Sequence, residues 1–246
     1  MRNRLDKLLF ERGLAPSRER AQALILAGRV LVNQQKVEKP GSSVDDTALL
    51  RVLGEEQRYV SRGGFKLEAA LDRWHIDLTG RYCADIGTST GGFTDCMLQH
   101  GAASVVAVDT GYGQIAEGLR RDPRVTLLER TNARYLKPGD LPRGIGFVSM
   151  DVSFISATLV LPAVLAAVRV SRERRVEVVV LVKPQFEAGR EHVGKGGIVH
   201  DPAAHQLAID RVRAAVLDLG AAGSEVAESP IQGTKGNREF LLYSRF

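Results

Sequence analysis

Four ionisable residues sit where patterned segments begin or end: Lys66 in Ser61-Arg62-Gly63-Gly64-Phe65-Lys66-Leu67, Asp151 in Asp151-Val152-Ser153-Phe154-Ile155-Ser156, Lys183 in Lys183-Pro184-Gln185-Phe186-Glu187, and Glu239 in Gly236-Asn237-Arg238-Glu239. Any one of them reads equally well as half of a surface salt bridge. Two ammonium groups and two carboxylates gathered on one rim can instead orient a hydroxyl, stabilise the alkoxide that forms as it reacts, and hold one another in place. A lysine accepts a proton only where burial or a neighbouring cation lowers its pKa from the ordinary value of roughly 10.4. Lys66 would supply that cation while Asp151 and Glu239 would oppose it, so base and orienting group both stay open as roles for Lys183. Lys66 falls in the first turn of a helical pattern, where a cation opposes the helix dipole and a purely structural duty is poorly served. The five histidines show no metal-ligand spacing, and no metal site is expected.

A second set of residues could hold a nucleoside. The string Asp85-Ile86-Gly87-Thr88-Ser89-Thr90-Gly91-Gly92-Phe93-Thr94-Asp95 follows an apolar run and opens a helical pattern. Its glycines allow a tight turn and close backbone approach, and the helix start presents N–H groups to a ligand. The spacing Gly-x-x-x-Gly-Gly departs from Gly-x-Gly-x-x-Gly, which disfavours a dinucleotide. Asp109 ends the next apolar run 22 positions after Gly87, where an acid can accept both ribose hydroxyls. Asn132, in a polar turn after the third run, could reach an adenine edge. The candidate cofactor contacts are therefore Gly87, Ser89, Thr90, Gly91, Gly92, Phe93, Asp109 and Asn132, and the cofactor they fit is S-adenosylmethionine. A glycine-rich turn with no ligand is the plain alternative.

The elements that must position these residues follow from the hydrophobic pattern. From Tyr82 onward, strands are expected at Tyr82–Ile86, Val105–Val108, Val125–Leu128, Phe147–Met150 and Val176–Val182, with a last strand in the apolar run that begins at Phe240. Helical spacing separates them, and Leu67, Ala70, Leu71 and Trp74 mark a leading helix that carries Lys66. Such alternation implies an α/β fold with a mostly parallel sheet covered on both faces, binding ligands beyond the carboxyl ends of its strands. The longest weakly polar stretch, Ile155 to Val168, is interrupted by Pro162 and falls short of the roughly 18 to 20 residues of a membrane span. The first residues, Met1-Arg2-Asn3-Arg4, carry charge where a secretory signal would be apolar, and Cys83 and Cys96 are the only cysteines, so a reducing cytoplasm is the expected setting.

The charge is concentrated at one end. Residues 1–40 hold nine Lys/Arg against four acids, a net of +5, and the rest of the chain is balanced. A basic head on a neutral body suits a polyanion, although a solvated face would also account for it. Leu5, Leu8 and Leu9 predict a helix stopped by Gly13, and Ser17 is placed to cap a second helix with Ala21, Leu24 and Ile25 on one face. Val30-Leu31-Val32 and the segment around Val37 then read as strands flanking the turn Asn33-Gln34-Gln35. The polar stretch 54–58 marks the joint, giving a small domain at 1–58 and a large one at 59–246.

This head, with helix, Ser-Arg, helix and Ala-Gly-x-Val-x-Val-Asn, resembles the S4 type of RNA-binding module, a small α+β domain named for a protein of the small ribosomal subunit. The resemblance implies RNA contacts for Arg4, Lys7, Arg18 and Arg20, whose guanidinium and ammonium groups suit phosphate oxygens. Lys66, Asp151, Lys183 and Glu239, in the order Lys, Asp, Lys, Glu, resemble the catalytic tetrad of RNA ribose 2'-O-methyltransferases of the FtsJ type, with no position departing. Together the two halves resemble the TlyA family, described both as haemolysin-like proteins and as ribosomal RNA cytidine 2'-O-methyltransferases. The resemblance implies a Rossmann-like class I methyltransferase domain that transfers a methyl group from S-adenosylmethionine to a cytidine ribose while the head docks on ribosomal RNA in a ribosomal subunit. The ends look short beside the family's longer members, which implies the large subunit as acceptor. Two other functions are carried forward: a non-catalytic ribosome-binding factor with a vestigial methyltransferase fold, and a membrane-active haemolysin, which the lack of a spanning helix disfavours. The basic segment Gly189–His200, with Gly194-Lys195-Gly196-Gly197, is expected to be flexible and to fold over RNA or cofactor, or to be a plain surface loop.

Overall fold

The computed structural model describes residues 2–53, 58–168, 175–233 and 235–246, so all of the expected joint except Arg58 lies outside the described residues. The chain divides into two compact units, Met1–Arg58 and Tyr59–Phe246.

The first unit runs β1 (Arg2–Arg4), α1 (Leu5–Glu11), α2 (Arg18–Leu26), β2 (Val30–Val32), β3 (Gln35–Lys36), β4 (Ser43–Asp45) and β5 (Leu50–Val52). Leu5, Leu9, Ile25 and Val30 are fully buried in its core. Ser17 Oγ accepts the Arg20 amide at 3.2 Å, which satisfies one of the free donors at the start of α2. The β2–β3 turn is tighter than expected. Asn33 and Gln34 both take positive φ, as a two-residue hairpin of this twist demands, so Gln35 leaves the expected turn and pairs with Val32 in β3. The pairing of β1 with β4 has no hydrophobic signature in Arg-Asn-Arg and was not expected.

The second unit runs α3 (Gly63–Trp74), β6 (Tyr82–Ile86), α4 (Gly92–Gln99), β7 (Ser104–Val108), α5 (Glu117–Arg120), β8 (Val125–Leu128), β9 (Ile145–Met150), α6 (Leu161–Val168), β10 (Glu177–Val182), α7 (Pro184–Glu187), α8 (Pro202–Asp218), β11 (Ser224–Glu228) and β12 (Phe240–Arg245). Its seven-stranded sheet has the order β11-β12-β10-β9-β6-β7-β8. Five strands are parallel, and β12 runs antiparallel to both neighbours. Side chains alternate across the sheet. Ile86, Val106, Val148, Val178 and Val180 pack with α6 and α8. Cys83, Val105, Ala107, Phe147, Val179 and Leu181 pack with α3 and α4 on the other face. Strand order reverses between β6 and β9, and a crevice must open there beyond their carboxyl ends.

Candidate active site

The crevice is built where β6 and β9 end. Gly87 follows β6 with φ +90°, and a Cβ at this position would lie 2.4 Å from the Asp151 carbonyl oxygen, so only glycine lets the two strand ends approach this closely. A Cβ on Gly92 would meet Ser61 Oγ at 2.3 Å and the Gly64 amide nitrogen at 3.0 Å. The starts of α3 and α4 can therefore lie against each other, which sets Lys66 beside the glycine loop.

One cavity of about 310 Å³ is lined by Lys66, Asp151, Lys183 and Glu239 together with Gly87, Ser89, Thr90, Gly92 and Phe93. The tetrad forms two ion pairs. Lys66 Nζ lies 2.5 Å from Glu239 Oε2, and Lys183 Nζ lies 2.5 Å from Asp151 Oδ1. Lys183 also donates to Ser153 Oγ at 2.6 Å. Asp151 Oδ1, though within ion-pair distance, receives no aligned hydrogen bond among the described residues. Both lysines are nine-tenths buried, so few waters compete for their donors.

A second cavity of about 320 Å³ shares Gly87, Ser89, Asp151 and Ser153 with the first and is lined by Asp109, Gly111 and Asn132. Asp109 splints the loops around it: Oδ2 accepts the Ser89 amide and Oδ1 accepts the Gly111 amide, each at 2.7 Å. Each oxygen keeps a lone pair for a ribose hydroxyl. Asn132 Oδ1 accepts the Arg134 amide at 3.1 Å, which leaves its amide nitrogen for a ligand edge. These residues fit a nucleoside whose far end reaches the tetrad. Gly91 lines neither cavity: its φ is +96°, and a Cβ there would meet Leu119 Cδ1 at 2.4 Å. It makes the turn rather than the pocket wall.

Three residues not singled out from sequence brace the site. Glu187 is buried on α7, where its Oε2 accepts Ser156 Oγ at 2.5 Å and its Oε1 accepts the Ala157 amide at 2.7 Å. Burial pushes its carboxyl above the ordinary range, against those hydrogen bonds. Asn237 accepts the Val199 amide at 2.9 Å and donates to the Gly197 carbonyl at 2.8 Å. The expected loose segment Gly189–His200 is thereby tied down at its C-terminal end, with short turns at Arg190–His192 and Lys195–Gly197. Asp85, fully buried at the end of β6, accepts from Thr94 Oγ1 at 2.7 Å and Ser149 Oγ at 3.2 Å. Burial pushes its carboxyl up to about 7. Each lies in a string quoted from the sequence, but most of their partners, 30 to 64 positions away, are not visible there.

In the first unit, Arg4 and Arg18 converge on the buried Asp6 at 3.0 and 3.2 Å, and Lys7 pairs with Glu11 at 3.5 Å. Arg20 lies in the first turn of α2. Among the described residues no group of three His, Cys, Asp or Glu side chains could hold a metal ion, and no helix is long and apolar enough to cross a membrane.

Comparison with known proteins agrees with this architecture. Residues 59–246 match the FtsJ-like methyltransferase family, and residues 3–49 match the S4 domain. The chain is 46% identical over 245 residues to the 16S/23S rRNA (cytidine-2'-O)-methyltransferase TlyA of Mycobacterium tuberculosis (strain ATCC 25618 / H37Rv), covering 99% of this chain and 90% of the relative. A solved structure from Streptococcus thermophilus that carries a hemolysin name is 44% identical with a TM-score of 0.74, covering 99% of this chain and 88% of that one. An S-adenosylmethionine dependent methyltransferase from Mesorhizobium loti shares the fold at 15% identity and a TM-score of 0.52, covering 72% of this chain and 96% of that one. With its glycine loop, its paired tetrad and a match along nearly its whole length, the chain belongs to the TlyA family, an S4 domain followed in sequence by an FtsJ-like methyltransferase domain.

Proposed function

We propose that the protein methylates the ribose 2'-hydroxyl of a cytidine in ribosomal RNA, with S-adenosylmethionine as donor and the S4 domain docking on the RNA. One observation carries this reading: two lysine–carboxylate pairs line a single cavity that shares Gly87, Ser89, Asp151 and Ser153 with the candidate nucleoside pocket. S-adenosylmethionine, when bound, supplies an electrophilic methyl on a sulfonium. Gly87, Ser89, Asp109 and Asn132 would hold its nucleoside. Lys183 has three N–H donors, of which Ser153 takes one, so it can donate to the ribose oxygen while Asp151 keeps it in place. Lys66, fixed by Glu239, brings a second positive charge to the cavity where alkoxide character develops. The hydroxyl is thus oriented for in-line attack, its proton passing to a neutral Lys183 or, where Lys183 is the ammonium donor, to water in the cavity. A ribosomal RNA substrate fits the expected cytoplasmic setting, and the labelling experiment identifies the acceptor subunit.

The test is incubation of the full chain with methyl-labelled donor and each undermethylated ribosomal subunit, followed by nuclease mapping. Label should appear as 2'-O-methylcytidine, and Lys183→Ala should lower the rate at least about 10²-fold with donor affinity unchanged. Label on a base would overturn the ribose chemistry, and RNA binding without transfer by the wild type would favour the scaffold reading. Lysis of erythrocytes by detergent-free protein would revive the haemolysin reading.

A further inference from the structure

Among the described residues of the first unit, Asp6 is the buried charged side chain, with no exposed surface. Its carboxylate receives five hydrogen bonds. Arg4 donates through Nε and Nη2 at 3.0 Å each, Arg18 through Nη2 at 3.2 Å, Gln22 through Nε2 at 2.8 Å and the Lys7 amide at 2.9 Å. Arg4, ahead of its burial, holds this carboxyl well below the ordinary range. The two arginines are not consumed by this contact, for their side chains are 56% and 47% exposed. A guanidinium has five N–H donors, so these bonds leave Arg4 three and Arg18 four for an outside partner. An arginine surrenders rotamer freedom when it is fixed on a ligand, and here much of that ordering precedes any encounter.

We propose that Asp6 is a positioning residue for RNA binding: from inside the fold it fixes Arg4 and Arg18 as one paired-guanidinium site for backbone phosphates. This rests on the reading of the S4 domain as the RNA-docking unit. It also reverses the sign that charge alone predicts. A carboxylate beside phosphate contacts should weaken binding by simple electrostatics, whereas a carboxylate that orders the contacts should strengthen it.

The experiment measures affinity of the full chain for undermethylated ribosomal subunits over a salt series, comparing wild type, Asp6→Asn and the double variant Arg4→Gln/Arg18→Gln. Asp6→Asn is one unit more positive. With its helical signal intact it should nevertheless bind about 10-fold more weakly, with an unchanged salt slope, because both cations remain. The double variant should bind more weakly with a shallower slope. Equal or tighter binding by Asp6→Asn, while the double variant is weakened, would overturn the role of Asp6 alone; wild-type affinity in the double variant would overturn the docking reading itself. If Asp6→Asn unfolds the domain, nuclear magnetic resonance of the wild-type guanidinium groups decides. Equal order in free and RNA-bound protein supports the proposal, and mobile groups that stiffen only on binding refute it.

Discussion

Asp85 and Asp151 stand at the ends of the adjacent strands β6 and β9, yet they meet different surroundings. Asp151 faces the cavity and a lysine, whereas Asp85 is sealed beneath with two hydroxyl donors. Burial raises the Asp85 carboxyl to about 7, and the charge of Asp151 adds to that. An unfolded aspartate titrates near roughly 3.9, so between that pH and about 7 the native protein binds a proton the unfolded chain has released. Stability from this group is therefore present at low pH, falls as pH rises through the window, and is flat above it. Asp85→Asn removes the ionisation and keeps the shape. Its melting temperature relative to wild type should be higher at pH 8 than at pH 5 by about 5 °C, measured by calorimetry; the same difference at both values would show that ionisation is not what burial penalises. The tetrad was legible in sequence because each member adjoins a patterned element, as Lys183 follows the β-branched run of β10. Asp85 and Asp6 were not, because nothing in one sequence shows a carboxylate's depth or which distant donors reach it.

At the scale of elements, the site depends on how the loop after β9 is joined to α7 after β10. Glu187 makes that joint through Ser156 and the Ala157 amide. The loop it secures contains Phe154, whose φ of +65° is a strained choice for an aromatic residue. Lys183, Asp151 and Ser153 sit on the two joined segments, and misplacement by about 1 Å in such a constellation can lower rates by about 10²-fold. Glu187→Ala should therefore reduce kcat about 30-fold with little change in KM for the donor. Glu187→Gln should stay within about 3-fold, since an amide oxygen still accepts from Ala157 and a neutral group escapes the desolvation of a buried charge. Steady-state kinetics with thermal melts check both, and an equal fall in the two variants would mean that the charge, not the brace, matters. Elements with strong period were legible: Tyr82–Ile86 and Val125–Leu128 are β6 and β8 as expected. The edge strand β11 was missed because Ser-Glu-Val-Ala-Glu carries little apolar weight and pairs only on its β12 side.

For the whole molecule, the uneven charge gives the two units different sensitivities to salt. The formal excess of +5 resides in residues 1–40, while the remainder is balanced. On the proposed docking, phosphate contacts by Arg4, Arg18 and their neighbours would release counterions on binding, so RNA affinity is expected to fall with ionic strength. The proposed nucleoside pocket would hold its ligand through loops splinted by Asp109 and through short-range contacts, which salt screens little. Raising salt from about 50 to 200 mM should weaken RNA binding by at least about 10-fold while donor affinity, measured by calorimetric titration, changes less than about 2-fold. Turnover at saturating RNA should persist, because the tetrad pairs are nine-tenths buried on most of their members and lie inside the Debye length of one another. Parallel loss of donor and RNA affinity would show that the pocket itself depends on surface charge, and the assignment of docking to the basic S4 unit and chemistry to the sheet would have to be withdrawn.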